Sequence, residues 1–79
     1  LQLEVRVFAG LEKYVSGARF GEPLYLDFPE GTTGRDLIQK LNIPEEQIFS
    51  ILINGVQKKL DDVLQDADRI SLFPPVGGG

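Results

Sequence analysis

The sequence predicts an α+β fold in which one helix packs across a mixed sheet, and three observations predict it. Two period-two apolar runs precede the only strong helix pattern, an Asn54-Gly55 hairpin follows it, and a last alternating run lies at Arg69 to Phe73 of the 79 residues. A helix with one apolar stripe between strand pairs buries that stripe against a sheet. A chain this short buries only about 60 to 65% of the surface its unfolded form exposes, which leaves space for one core and no large catalytic cleft.

The elements follow in order. Leu1, Leu3, Val5 and Val7 alternate with Gln2, Glu4 and Arg6, the mark of a strand with one buried and one wet face. "AGLEKYVSGARFGEP" is polar and glycine-punctuated, with a helical turn expected around Leu11 to Tyr14. "LYLDF" is a second strand, with Leu24, Leu26 and Phe28 inward and Tyr25 and Asp27 outward. In "PEGTTGRDLIQKLN", Thr32 or Thr33 caps a helix, Asp36 lies near its positive end and Lys40 near its negative end. Leu37, Ile38 and Leu41 share its apolar face, and Asn42 closes it. Pro44 and Glu45-Glu46 then open a short second turn. In "FSILINGVQKK" the Asn54-Gly55 pair supplies the positive φ at two successive residues that a type I′ hairpin turn requires. "LDDVLQDAD" is a loop expected to carry Leu60, Val63 and Leu64 into the core, and "RISLF" is the last strand, with Ile70 and Leu72 inward. The long apolar faces of the first and last strands suit central parallel neighbours. This order is that of a β-grasp roll, with residues 1–73 as the folded domain and 74–79 as a flexible, extended C-terminal tail.

Composition narrows the function. Hydrophobic residues at 42% and charged residues at 25% place the chain among globular rather than disordered domains. A net charge of -4 argues against a nucleic-acid footprint and favours a protein partner with a basic surface. No apolar run approaches the roughly 20 residues of a membrane span. With no Cys and no His there is no thiolate nucleophile, no imidazole base and no expected metal site. The first residues carry no signal-peptide pattern, so a cytoplasmic compartment is expected.

The carboxylate pairs Glu45-Glu46 and Asp61-Asp62 read as solvated surface, because adjacent side chains point in different directions and no His accompanies them. Glu30-Gly31-Thr32-Thr33-Gly34 lacks the Gly-Lys-Ser/Thr ending of a phosphate cradle and reads as a turn with a helix cap. By strand parity Phe73 and Leu52 face outward, two apolar groups expected to be exposed on one sheet face near the tail, which marks a partner-binding patch. Pro74 and Pro75 lack an amide hydrogen and hold φ fixed, so they end the sheet ladder and act as a spacer. Beyond Val76, the run Gly77-Gly78-Gly79 has no Cβ to obstruct a narrow channel, so an enzyme can approach the last carbonyl closely. A terminal carboxylate is an anion at neutral pH and a poor electrophile until a partner activates it.

"DADRISLFPPVGGG" resembles the C-terminus of the MoaD/ThiS sulfur-carrier family, ubiquitin-like β-grasp proteins with a "DGD", a strand, "FPPV" and a final Gly-Gly. "LEVRVFAGLEKYVSG", "EGTTGRDLIQKL" and "ILINGV" resemble that family's first strand, helix and hairpin, so the likeness covers nearly the whole chain. The resemblance implies a non-catalytic carrier that binds no cofactor itself. A ubiquitin-activating-type adenylating enzyme, MoeB- or ThiF-like, would use ATP to activate the carboxyl of Gly79. Gly78 would be the second required glycine, and sulfur would replace the adenylate to give a thiocarboxylate. Phe73-Pro74-Pro75 is more similar to the molybdopterin-synthase small subunit than to the thiamine carrier, and Gly77 is the departure, since that subunit more often has a side chain there. The implied second partner is a MoaE-like large subunit, with Phe73, Pro74, Pro75, Val76, Gly77 and Leu52 as the contact residues. Two other readings stand beside it: a carrier for thiamine or another metabolite, and a ubiquitin-like modifier joined through Gly79 to lysines.

Overall fold

A computed structural model describes residues 1–75. Among these residues five strands and one α-helix form the expected roll. Strand β1 (Gln2–Val7) buries Leu3, Val5 and Val7 completely and turns the intervening residues outward, as its alternation requires. A 3-10 turn at Leu11–Tyr14 tucks Leu11 into the core. Strand β2 (Leu24–Asp27) pairs antiparallel with β1, with Leu24 and Leu26 half-buried and Tyr25 exposed.

Helix α1 (Gly34–Lys40) starts at Thr33, not Thr32, in a reciprocal cap. The Asp36 amide donates to Thr33 Oγ1, and the Thr33 amide donates to Asp36 Oδ2, each at 3.1 Å, which satisfies two otherwise orphaned donors. The helix ends as Asn42 swings to φ 61°. The amides of Asn42 and Ile43 donate back to Gln39 and Ile38 at 3.1 and 2.9 Å, a Schellman closure that drops Ile43 into the core. Gly34 permits the close approach of α1 to the sheet: a Cβ there would stand 2.9 Å from Ile51 Cδ1 and 3.3 Å from the Leu60 carbonyl. After a 3-10 turn at Glu45–Gln47, strands β3 (Ser50–Ile53) and β4 (Val56–Lys58) form the hairpin, with Asn54 at φ 54° and Gly55 at φ 83°.

Strand β5 (Arg69–Phe73) completes a sheet of order β2-β1-β5-β3-β4, parallel to β1 and antiparallel to β3. Its Ile70 and Leu72 meet Val5, Val7, Ile51 and Ile53 under α1, where Leu37 and Ile38 close the core. One expectation fails. Val63 is 53% exposed, not in the core. Its backbone bridges Thr33 in extended form, and the Leu64 amide donates to the Thr32 carbonyl at 2.8 Å. Neighbouring residues on extended backbone point to opposite sides, so burying Leu64 turns Val63 outward. No helix among the described residues is long and apolar enough to cross a membrane.

Candidate functional site

The site is built around the end of β5, where the chain leaves the sheet. Phe73 is the last residue in the ladder: it stands opposite Ser50, and its carbonyl accepts the Phe49 amide at 2.9 Å. Pro74 cannot extend the pairing; it is half-buried, and Pro75 is exposed.

The outer face near this point is aromatic. Phe8 follows β1 by parity onto the same face as Phe73, and the two rings stack with centroids 4.6 Å apart and planes 6° apart. Phe20 meets Phe8 edge-on at 5.4 Å. Both geometries are favourable for aromatic pairs. Phe73 therefore faces outward but is half-buried, not fully exposed, because Phe8 covers one side of its ring. Leu52, flanked by Ser71 and Gln57 across the sheet, is also half-buried. More open ring surface belongs to Phe49, 69% exposed beside the prolines, and to Phe20, 62% exposed against Phe8.

A groove runs below the departing chain, lined by Ala9, Gln47, Phe49, Ser50, Phe73 and the two prolines, with no charged side chain among them. The β5 parity was sufficient to place Phe73 outward. Carrying the β1 parity one residue beyond Val7 would have placed Phe8 beside it. Phe49 had no such signal, since it precedes its strand and no period fixes where its ring points.

The other sequence candidates are structural. Arg35 gathers Glu45, at 2.9 Å, and Asp61, so one member of each carboxylate pair is tied to the helix. Hydrogen bonds to Glu45 and then Asp61 raise the Arg35 pKa above its already high ordinary value. Asp62 accepts the Lys59 amide at 3.0 Å. Among the described residues no group of three or more His, Cys, Asp or Glu is placed to hold a metal ion. Among the described residues the arrangement has no paired acid and base and no nucleophile next to a base; what it offers is the end of a sheet strand beside an apolar groove. Val76, Gly77, Gly78 and Gly79, together with the expectation of a flexible tail, lie outside the described residues.

Comparison with known proteins gives a consistent result. The family model of the ThiS family matches residues 5–79. Among solved structures, SAMP1 from Haloferax volcanii matches with a TM-score of 0.71 and 27% identity, covering 100% of both chains. The solution structure of the Haloferax volcanii HVO 2177 protein matches at 0.77 and 26% identity, over 100% of this chain and 87% of that one. A chain from the complex of subunits 1 and 2 of the molybdopterin-converting factor of Helicobacter pylori matches at 0.61 and 26% identity, covering 100% of both chains. No curated protein sequence matches the chain.

Proposed function

This chain belongs to the ThiS family of ubiquitin-like β-grasp sulfur carriers, and we propose that it carries sulfur as a thiocarboxylate on Gly79 for molybdopterin synthesis. The observation that carries the reading is the family match across residues 5–79, which includes the Gly78-Gly79 pair. The end of β5 supports it, because the ladder stops at Phe73 and Pro74, with no amide hydrogen, cannot continue it. The molybdopterin assignment draws on Phe73-Pro74-Pro75 and on the likeness to a chain of the Helicobacter pylori complex of molybdopterin-converting factor subunits 1 and 2.

The chemistry is supplied by partners. A Gly79 carboxylate oxygen attacks the α-phosphorus of ATP on an adenylating enzyme, pyrophosphate leaves, and the inert anion becomes an acyl-adenylate. The terminal sulfur of a persulfide then attacks the carbonyl carbon and expels AMP. A thiol reductant cleaves the resulting acyl disulfide and leaves the thiocarboxylate on the carrier. A MoaE-like large subunit would receive that sulfur for its substrate. The domain presents the tail and provides no catalytic group of its own.

The test is intact mass after incubation with the cognate adenylating enzyme, ATP, a persulfide donor and a thiol. The expected result is the increase from exchanging one oxygen for sulfur, localised to the C-terminal peptide. Gly78→Val should block conversion and leave the fold intact, because added Cβ substituents obstruct a narrow channel and restrict φ. Efficient conversion of Gly78→Val, or no conversion of the parent, would overturn the carrier reading. Recovery from native extract with a thiazole synthase would move the pathway to thiamine, and recovery as Gly79–lysine conjugates would move the role to protein modification.

A further inference from the structure

We infer that Phe49 is the anchor by which the adenylating partner grips this domain, receiving an uncharged apolar protrusion of the partner in the groove below Pro74. The inference rests on the carrier reading of Gly79 and adds to it the surface that is gripped.

Reach limits where a partner can sit. Gly79 is four residues beyond Pro75, and an extended chain spans at most about 3.6 Å per residue, so the reacting carboxyl lies within about 14 Å of Pro75. A partner that surrounds those residues in a channel brings the rim of that channel against the domain at the end of β5. The surface waiting there is the groove lined by Ala9, Gln47, Phe49, Ser50, Phe73 and the prolines.

Two features of that groove select the occupant. Its lining carries no charged side chain, although a quarter of the chain is charged, so a charged group entering it would lose water and gain no ion pair. Phe49 is the ring in it with most surface left to cover: Phe73 is already stacked on Phe8, while Phe49 is 69% exposed. Its backbone is nevertheless fixed, because the Phe49 amide donates to the Phe73 carbonyl at 2.9 Å. An exposed aromatic on a fixed backbone is the kind of group that dominates binding energy when a partner dries it.

The experiment measures ATP-dependent adenylation of the full-length carrier by its cognate adenylating enzyme, with carrier concentration varied. Phe49→Ala should raise the KM for the carrier about thirtyfold, a hot-spot-sized loss, with kcat close to the parent's and thermal unfolding nearly unchanged. Phe49→Leu should recover part of the loss. Val56→Ala is the control: Val56 is 55% exposed on the edge strand near the start of β5, and its KM should match the parent's. An unchanged KM for Phe49→Ala, or an equal rise for Val56→Ala, would overturn the anchor assignment while the carrier reading stood. Absence of adenylation of the parent would overturn the carrier reading and the anchor with it.

Discussion

The two ends of β5 are held by different physics. At its start, the chain is clamped by hydrogen bonds. The carboxylate of Asp68, 8% exposed, accepts the Asn54 side-chain amide at 2.9 Å and the Gln65 backbone amide at 2.8 Å. Asn54 Oδ1 accepts the Arg69 amide at 3.0 Å, Asp66 accepts the Gln2 amide at 2.7 Å, and the Ala67 amide donates to the Gln2 carbonyl at 2.8 Å. At its end, the contacts that set the surface are aromatic, Phe73 on Phe8 and Phe8 on Phe20. Hydrogen bonds are directional and saturable, so a clamp whose donors and acceptors are used internally has little to offer a partner. Ring contacts leave edges and faces uncovered. The domain is therefore pinned where the last strand begins and open to contact where the tail departs.

The largest effect expected from breaking this contrast is at the clamp. Asp68→Ala removes the acceptor for two donors in a nearly dry site, and the cost of orphaning such groups is about 1 to 3 kcal/mol. Denaturant unfolding of the purified domain should register a loss of about 2 kcal/mol or more on that scale, and Asp68→Asn, which keeps one acceptor oxygen, should fall between the two. A loss below about 0.5 kcal/mol for the alanine variant would mean that water replaces the carboxylate and the clamp does not pin the strand.

At the other end, Phe73→Ala should cost less. The ring is half-buried, and its stack on Phe8 contributes about 0.5 to 1.5 kcal/mol beyond the area it covers. A stability loss of about 1 to 2 kcal/mol is expected, short of the roughly 3 to 5 kcal/mol for truncating a fully buried Phe. That exceeds what a fully exposed ring would give, and the difference is the contact that strand parity alone did not reveal. Unfolding and adenylation measured on the same variant separate the two roles: a loss in stability alone would make Phe73 a support for the surface, and a loss in both would place it in the contact as well.

How far the sequence carried the fold depends on whether a period constrained the residue. Ile70 and Leu72 were legible because alternation on β5 leaves them one face to occupy, and the same holds for Leu3, Val5 and Val7 on β1. Asn42 was legible because positive φ selects few residue types, and capping chemistry narrowed the helix start to Thr32 or Thr33, between which only the structure chooses Thr33. Val63 was not, since a loop has no period and burial of either Val63 or Leu64 satisfies composition alone. Phe49 was missed for the same reason, and Phe8 because β1 was read as stopping at Val7, one residue before the parity that aims it at Phe73. The outer-face readings were correct in direction but expected exposed side chains where Leu52 and Phe73 are half-buried, because alternation fixes a side of the sheet and not what lies over it.

The smallest effect sharpens the contrast from the clamped side, and its sign is opposite. Ala67 stands at φ 69°, the left-handed region, where a Cβ crowds the following carbonyl at a cost of about 1 to 2 kcal/mol. The family motif resembled by "DAD" has Gly at this position, and Gly adopts the same φ without that cost. The conformation persists because it lets the Ala67 amide reach Gln2 while Asp66 and Asp68 reach their own partners on either side. Ala67→Gly relieves the crowding but gives the unfolded chain more freedom, which offsets about 0.4 to 1 kcal/mol. The expected outcome is a net gain of roughly 0.5 kcal/mol, seen as a later midpoint in denaturant with an unchanged slope, and no change in the KM for adenylation. A loss of stability would show that the turn is not strained at Ala67, and a change in KM would show that the start of β5 is coupled to the surface at its end.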